Sequence, residues 1–169
     1  MFFKKLNYFF VILFFATNLF ANEEISKDGH QINFFTGNFD FSDDKQSAYL
    51  VGFQHQNENL NRDTFLGNVS PITGGFITEN SAAYIYTGIE WNMDMGQKTT
   101  FTPSFAPGLY HEGDGKDLGH VLEFKTEIQA SYAISESSSF GNSYNHISNA
   151  RLGDKNPGAN SYMFNYLKN

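Results

Sequence analysis

His146 and Ser148 stand two residues apart in the run Tyr144-Asn145-His146-Ile147-Ser148-Asn149. In an extended segment, residues at this spacing project from one face, so the imidazole and the hydroxyl can approach hydrogen-bonding distance. A serine hydroxyl is a poor nucleophile until a base takes its proton. Imidazole, with a reference pKa of ~6.5, suits that task near neutral pH. Asn160 follows twelve positions after Ser148. A short hairpin after Asn149 would return the chain alongside and bring Asn160 near His146. Its amide can accept the imidazole N–H and fix the tautomer, as asparagine does in Cys-His-Asn hydrolases. The chemistry suggested is nucleophilic acyl transfer.

These residues need strands to hold them, and period two is clearest in two places. From Ala83 the odd positions read Ala83, Ile85, Thr87, Ile89, Trp91, Met93, with Tyr84, Tyr86, Gly88, Glu90, Asn92 and Asp94 between them. The second run sets Leu122, Phe124, Thr126, Ile128, Ala130, Tyr132 and Ile134 against Glu123, Lys125, Glu127, Gln129 and Ser131. Helical spacing would scatter these apolar residues around an axis, so both runs read as strands. Further strands are expected over 32–41, 48–56, 66–78, 99–110, 138–149 and 161–168, separated by turn signals such as Ser42-Asp43-Asp44 and 153–158. Pro103 and Pro107 keep the face pattern but lack a backbone donor, which predicts a kink or bulge there.

Eight strands with one greasy and one polar face describe the smallest usual transmembrane barrel, and equally a soluble β-sandwich. Aromatics make up 17% of the chain, yet no helix-length apolar run follows the N-terminal segment. His146 and Ser148 share their face with Phe140 and Tyr144, and Asn160 shares parity with Tyr162, Phe164 and Tyr166. If that aromatic face meets lipid, the pair lies outside the barrel, where a lipid could reach it.

Residues 1–21 have the anatomy of a secretory signal: Lys4 and Lys5, then the apolar run from Tyr8 to Ala16, then Leu19-Phe20-Ala21 before Asn22-Glu23-Glu24. Cleavage after Ala21 would leave one domain, 22–169, with 9 basic and 18 acidic residues. That balance offers no basic footprint for nucleic acid. The chain has no cysteine, so neither disulfides nor thiolates can stabilise it after export.

The stretch from Asn142 to Tyr162 resembles the active-site signature of the PagL lipid A deacylases. That family carries His-x-Ser-Asn on the penultimate strand, then a loop containing Pro, Asn and Gly, then an acidic residue opening the last strand. The likeness is specific over 144–164, looser through Ser104-Phe105-Ala106-Pro107 and the charged strand after Gly119, and elsewhere a matter of strand rhythm. The resemblance implies an all-β, eight-stranded antiparallel barrel in the outer membrane of a Gram-negative cell. It implies an esterase removing a 3-O-linked acyl chain from lipid A of lipopolysaccharide, with no metal or organic cofactor. Ser148 would be the nucleophile, His146 the general base and then acid, and Asn160 the orienting residue where the family has an acid. Asn149 and the backbone beyond Ser148 would supply oxyanion donors. Arg151 and Lys155 are candidates for the phosphates of the lipid head group.

Two other readings remain open at this level: a non-catalytic outer-membrane barrel, favoured by Asn160 in the acidic position, and a soluble periplasmic barrel for a lipophilic ligand. Glu112, Asp114 and Asp117, flanked by His111 and His120, match no metal-binding spacing and read as a solvated turn.

Overall fold

The computed structural model describes residues 29–43, 45–65 and 67–169, so the expected signal segment lies outside the described residues. Nine strands form: β1 (His30–Phe39), β2 (Ala48–Asn57), β3 (Arg62–Thr64), β4 (Gly67–Thr78), β5 (Ala83–Asp94), β6 (Thr99–His111), β7 (Leu122–Ser135), β8 (Ser138–Ser148) and β9 (Ala159–Lys168). Each long strand pairs antiparallel with its neighbour in sequence, β9 pairs with β1, and β2 pairs with β4. Those pairings close a barrel of eight long strands. The short β3 adds to β4 alone and, with a single 3-10 turn at Glu58–Leu60, fills what the sequence suggests is a simple turn.

The alternation sorts as a membrane barrel requires. Val51, Ile85, Leu109, Ile128, Phe140 and Phe164 point outward and are 40–63% exposed. Glu90, Lys125, Gln129, Asn145 and Asn165 point inward and are buried. A soluble barrel would need the reverse arrangement, because water would then meet the apolar face. The predicted charged row on β7 therefore faces a lumen. There Lys125 pairs with Glu127 at 3.2 Å and lies 4.1 Å from the centre of the Tyr86 ring.

Nearer the loop end the lumen turns apolar. Phe39, Phe76, Tyr84 and Tyr110 pack ring on ring at 5.7–6.2 Å, and Leu118 from the 112–121 loop is buried with them. This plug anchors the loop that lies against the chain following β8.

The kink predicted at Pro103 and Pro107 does not form. β6 runs unbroken and pairs with β7 at every position from Thr99 to Leu109. The ladder to β5 breaks around both prolines but resumes in the same register. The missing donors therefore fall on the β5 side, and no extra residue is inserted. Spacing of four residues puts both prolines on the same edge of the strand.

Candidate active site

Antiparallel pairing of β8 with β9 places His146 directly opposite Asn160. The imidazole Nδ1 lies 2.8 Å from Asn160 Oδ1. Tyr144 donates its hydroxyl to the same oxygen at 2.8 Å, and Asn160 Nδ2 donates to Ser42 Oγ at 3.1 Å. With the amide oriented this way Oδ1 only accepts, so Nδ1 carries the ring proton. Nε2 keeps the lone pair that a general base needs. Residues of the same parity on these strands, Phe140, Tyr144, Tyr162 and Phe164, are exposed, so the pair opens onto the lipid-facing wall.

Ser148 ends β8 on the same face, opposite Phe124 of β7. Among the described residues its hydroxyl makes no hydrogen bond to His146, so the array stands as a formed His–Asn pair with the serine beside it. Immediately beyond, Ala150 and Arg151 both adopt positive φ, 54° and 67°. Two successive side-chain-bearing residues in the left-handed region cost free energy, and such strain gathers where geometry is functional.

Asn149, expected as an oxyanion donor, ties two loops together. It is fully buried, and its amide hydrogens go to Leu118 O at 2.8 Å and Lys155 O at 2.9 Å. Its Oδ1 accepts from Arg151 N, and its own backbone N–H donates to Asn156 Oδ1. Both amide hydrogens thus engage the 112–121 and 149–158 loops, and the residue fixes the turn that follows Ser148. Lys155 pairs with Asp117 at 2.6 Å. That hydrogen bond, with another from the Gly119 N–H, holds the exposed Asp117 carboxyl below its ordinary range. Arg151 is exposed on the rim.

Three contributors are not evident from local sequence. Tyr144 and Ser42 complete the hydrogen bonding of Asn160, and Gly158 packs against the imidazole. A Cβ at Gly158 would stand 2.8 Å from His146 Cε1 and 3.3 Å from Nε2, and its φ is +63°. Replacing Gly158 by alanine should therefore displace the ring while the barrel still closes. We expect a loss on the order of tenfold to a hundredfold in turnover, the scale of a misplaced catalytic group. The check is an initial rate at matched folded fraction, and an unchanged rate would remove this contact from the account.

A family model described as lipid A 3-O-deacylase (PagL) matches residues 35–169. The crystal structure of the outer membrane enzyme PagL aligns with a TM-score of 0.64 at 18% identity, over 82% of this chain and 99% of that one. A de novo designed transmembrane β-barrel aligns at 0.57 with 8% identity, over 85% and 97%. Neisserial surface protein A aligns at 0.56 with 9% identity, over 83% and 96%. These structural likenesses speak for the fold. No curated protein matches the sequence.

Proposed function

Since this chain belongs to the lipid A 3-O-deacylase (PagL) family of outer-membrane barrels, we propose that it hydrolyses the 3-O-linked acyl ester of lipid A by a serine–histidine mechanism. Ser148 Oγ attacks the ester carbonyl while its proton passes to His146 Nε2. The imidazolium then protonates the departing sugar oxygen, leaving an acyl-serine. Water, deprotonated by the same ring, releases the fatty acid and restores the serine. Asn160 holds the ring in the Nδ1–H tautomer throughout. Beyond Ser148 the backbone N–H groups of Asn149 and Arg151 are engaged by Asn156 and Asn149, which leaves the Ala150 N–H to meet the charge that develops on the carbonyl oxygen. Arg151 suits a phosphate of the head group, and Lys155 would do so on release from Asp117.

The observation that supports this reading most is the Nδ1–Oδ1 bond between His146 and Asn160 on a lipid-facing wall. A soluble ester would have no reason to meet its base there. The site lies at the end of the barrel away from the start of β1, the end of β9 and the two-residue turn 136–137. With short turns toward the periplasm, as in barrels of this kind, that end belongs to the outer leaflet, where lipid A resides.

One observation favours a second reading, a barrel without catalysis: Asn160 brings no charge to the imidazolium. Lipid A mass spectra from cells with and without the gene decide between them. The deacylase reading expects one hydroxyacyl unit to be missing when the protein is present. Identical spectra in an outer membrane that contains the folded barrel would leave the non-catalytic reading.

A further inference from the structure

The uncharged Asn160 raises the question of what stabilises a protonated His146. A carboxylate does reach Asn160, from the far end of the chain. We propose that Asp40, in the β1–β2 turn, is a positioning residue for this site, acting through Asn160 and Ser42 to orient His146 and stabilise its protonated form. The proposal rests on the deacylase reading above.

Asp40 is 1% exposed, although aspartate in a turn is ordinarily solvated. Its Oδ1 accepts the backbone N–H of Asn160 at 3.2 Å and the Ser42 hydroxyl at 3.3 Å. Ser42 Oγ in turn accepts Asn160 Nδ2, and Asn160 Oδ1 accepts His146 Nδ1–H. The links therefore run carboxylate, hydroxyl, amide and imidazole, with every proton donated toward the carboxylate. Polarity along such a chain is cooperative in a site of low dielectric. The same turn is fastened to β9 a second time by Phe41 N–H to Asn160 O at 3.0 Å. Phe41 also meets the Tyr144 ring edge-on at 6.1 Å.

Lys116 binds the other carboxylate oxygen, Oδ2. It lies on the far side, so Oδ1 is left to face Asn160 and Ser42. The remaining ionisable groups around the chain are few. Asp43, from the same turn, lies 3.9 Å from Lys116, and Tyr144 of β8 donates to Asn160. The cross-strand neighbour from β7 is Thr126, which carries no charge. A purely structural aspartate would satisfy its own turn. This one spends Oδ1 on the residue that orients the base.

The test uses the full-length protein in detergent with lipid A as substrate, comparing wild type, Ser148→Ala, Asp40→Asn, Ser42→Ala, Asn160→Glu and the Asp40→Asn/Asn160→Glu double variant. Asp40→Asn should lower kcat about tenfold with KM little changed. The acid limb of the kcat/KM profile should move toward lower pH by about half a unit or more, because the protonated ring loses a stabilising charge. In the Asn160→Glu background, where a carboxylate meets the ring directly, adding Asp40→Asn should cost less than about twofold. If Asp40→Asn does not fold, Ser42→Ala carries the test, with a loss of roughly threefold and the same direction of shift. A wild-type rate and pH profile in these variants overturns the proposal, as does an equal loss in both backgrounds, which marks a structural role. In those cases a Ser148-dependent wild-type activity leaves the deacylase reading standing. Wild-type turnover no greater than that of Ser148→Ala sinks that reading, and the relay with it.

Discussion

Replacing Ser148 by alanine is expected to lower lipid A deacylation by on the order of 10⁴-fold or more, while leaving the barrel folded. The side chain ends β8 on the lipid-facing wall and makes no hydrogen bond among the described residues, so its removal disturbs little. The chemistry, by contrast, loses the atom that would form the covalent intermediate. His146→Ala should be nearly as damaging, because a serine without its base stays a hydroxyl. The double variant should be no worse than either single one, since the two act as a unit. Turnover released from detergent-solubilised barrels, with folding followed by heat-modifiable gel migration, measures both points. Additive losses, or activity surviving in Ser148→Ala, would show that some other group attacks the ester.

The wall on which His146 and Ser148 stand was readable from one property of strands, the period of two. The run 122–134 separates apolar from charged positions so cleanly that only one face can meet lipid, and the barrel follows that division. Parity alone put His146, Ser148 and Asn160 on the apolar side, and the β8–β9 register brings 146 and 160 face to face. What parity cannot reach is any contact set by closure. Asp40 lies 120 residues before Asn160, and the two meet only because β1 zips to β9. Nothing about Ser42-Asp43-Asp44 as a turn signal marks the preceding aspartate as buried. The part played by Asn149 was equally illegible. Nothing adjacent to Asn149 in sequence announces that its amide meets the Leu118 and Lys155 carbonyls, which folding brings from two loops. The prolines failed for a related reason. Lacking a donor predicts a lost hydrogen bond, but whether the strand bends depends on which neighbour would have received it.

Replacing Lys125 by methionine is expected to destabilise the barrel by about 3–5 kcal/mol, the cost of leaving a buried charge without its partner. Lys125 is the one buried cation among the described residues, 2% exposed, yet the lumen around it holds Glu127 and Glu90. Glu90 is held by Gln54 Nε2 at 2.9 Å, and Gln54 in turn accepts the Tyr86 hydroxyl at 3.0 Å, so that carboxylate has a neutral partner. Glu127 has Lys125 at 3.2 Å and otherwise a long 3.3 Å contact from Asn145 Nδ2. Methionine fills similar volume and can still lie on the Tyr86 ring, so a loss of packing would be small. The penalty should therefore be electrostatic and belong to Glu127. Adding Glu127→Gln to Lys125→Met should restore most of the stability, even though the double variant lacks the ion pair altogether. Urea unfolding in lipid vesicles measures all three variants against wild type, and their coupling energy isolates the pair. A double variant as unstable as Lys125→Met alone would show that the lysine matters through its contact with Tyr86 or through the shape of the lumen. The same logic explains how the central pair of the β7 row can sit inside a membrane protein: Lys125 and Glu127 neutralise each other at 3.2 Å, and Asn145 of the neighbouring strand donates to the same carboxylate.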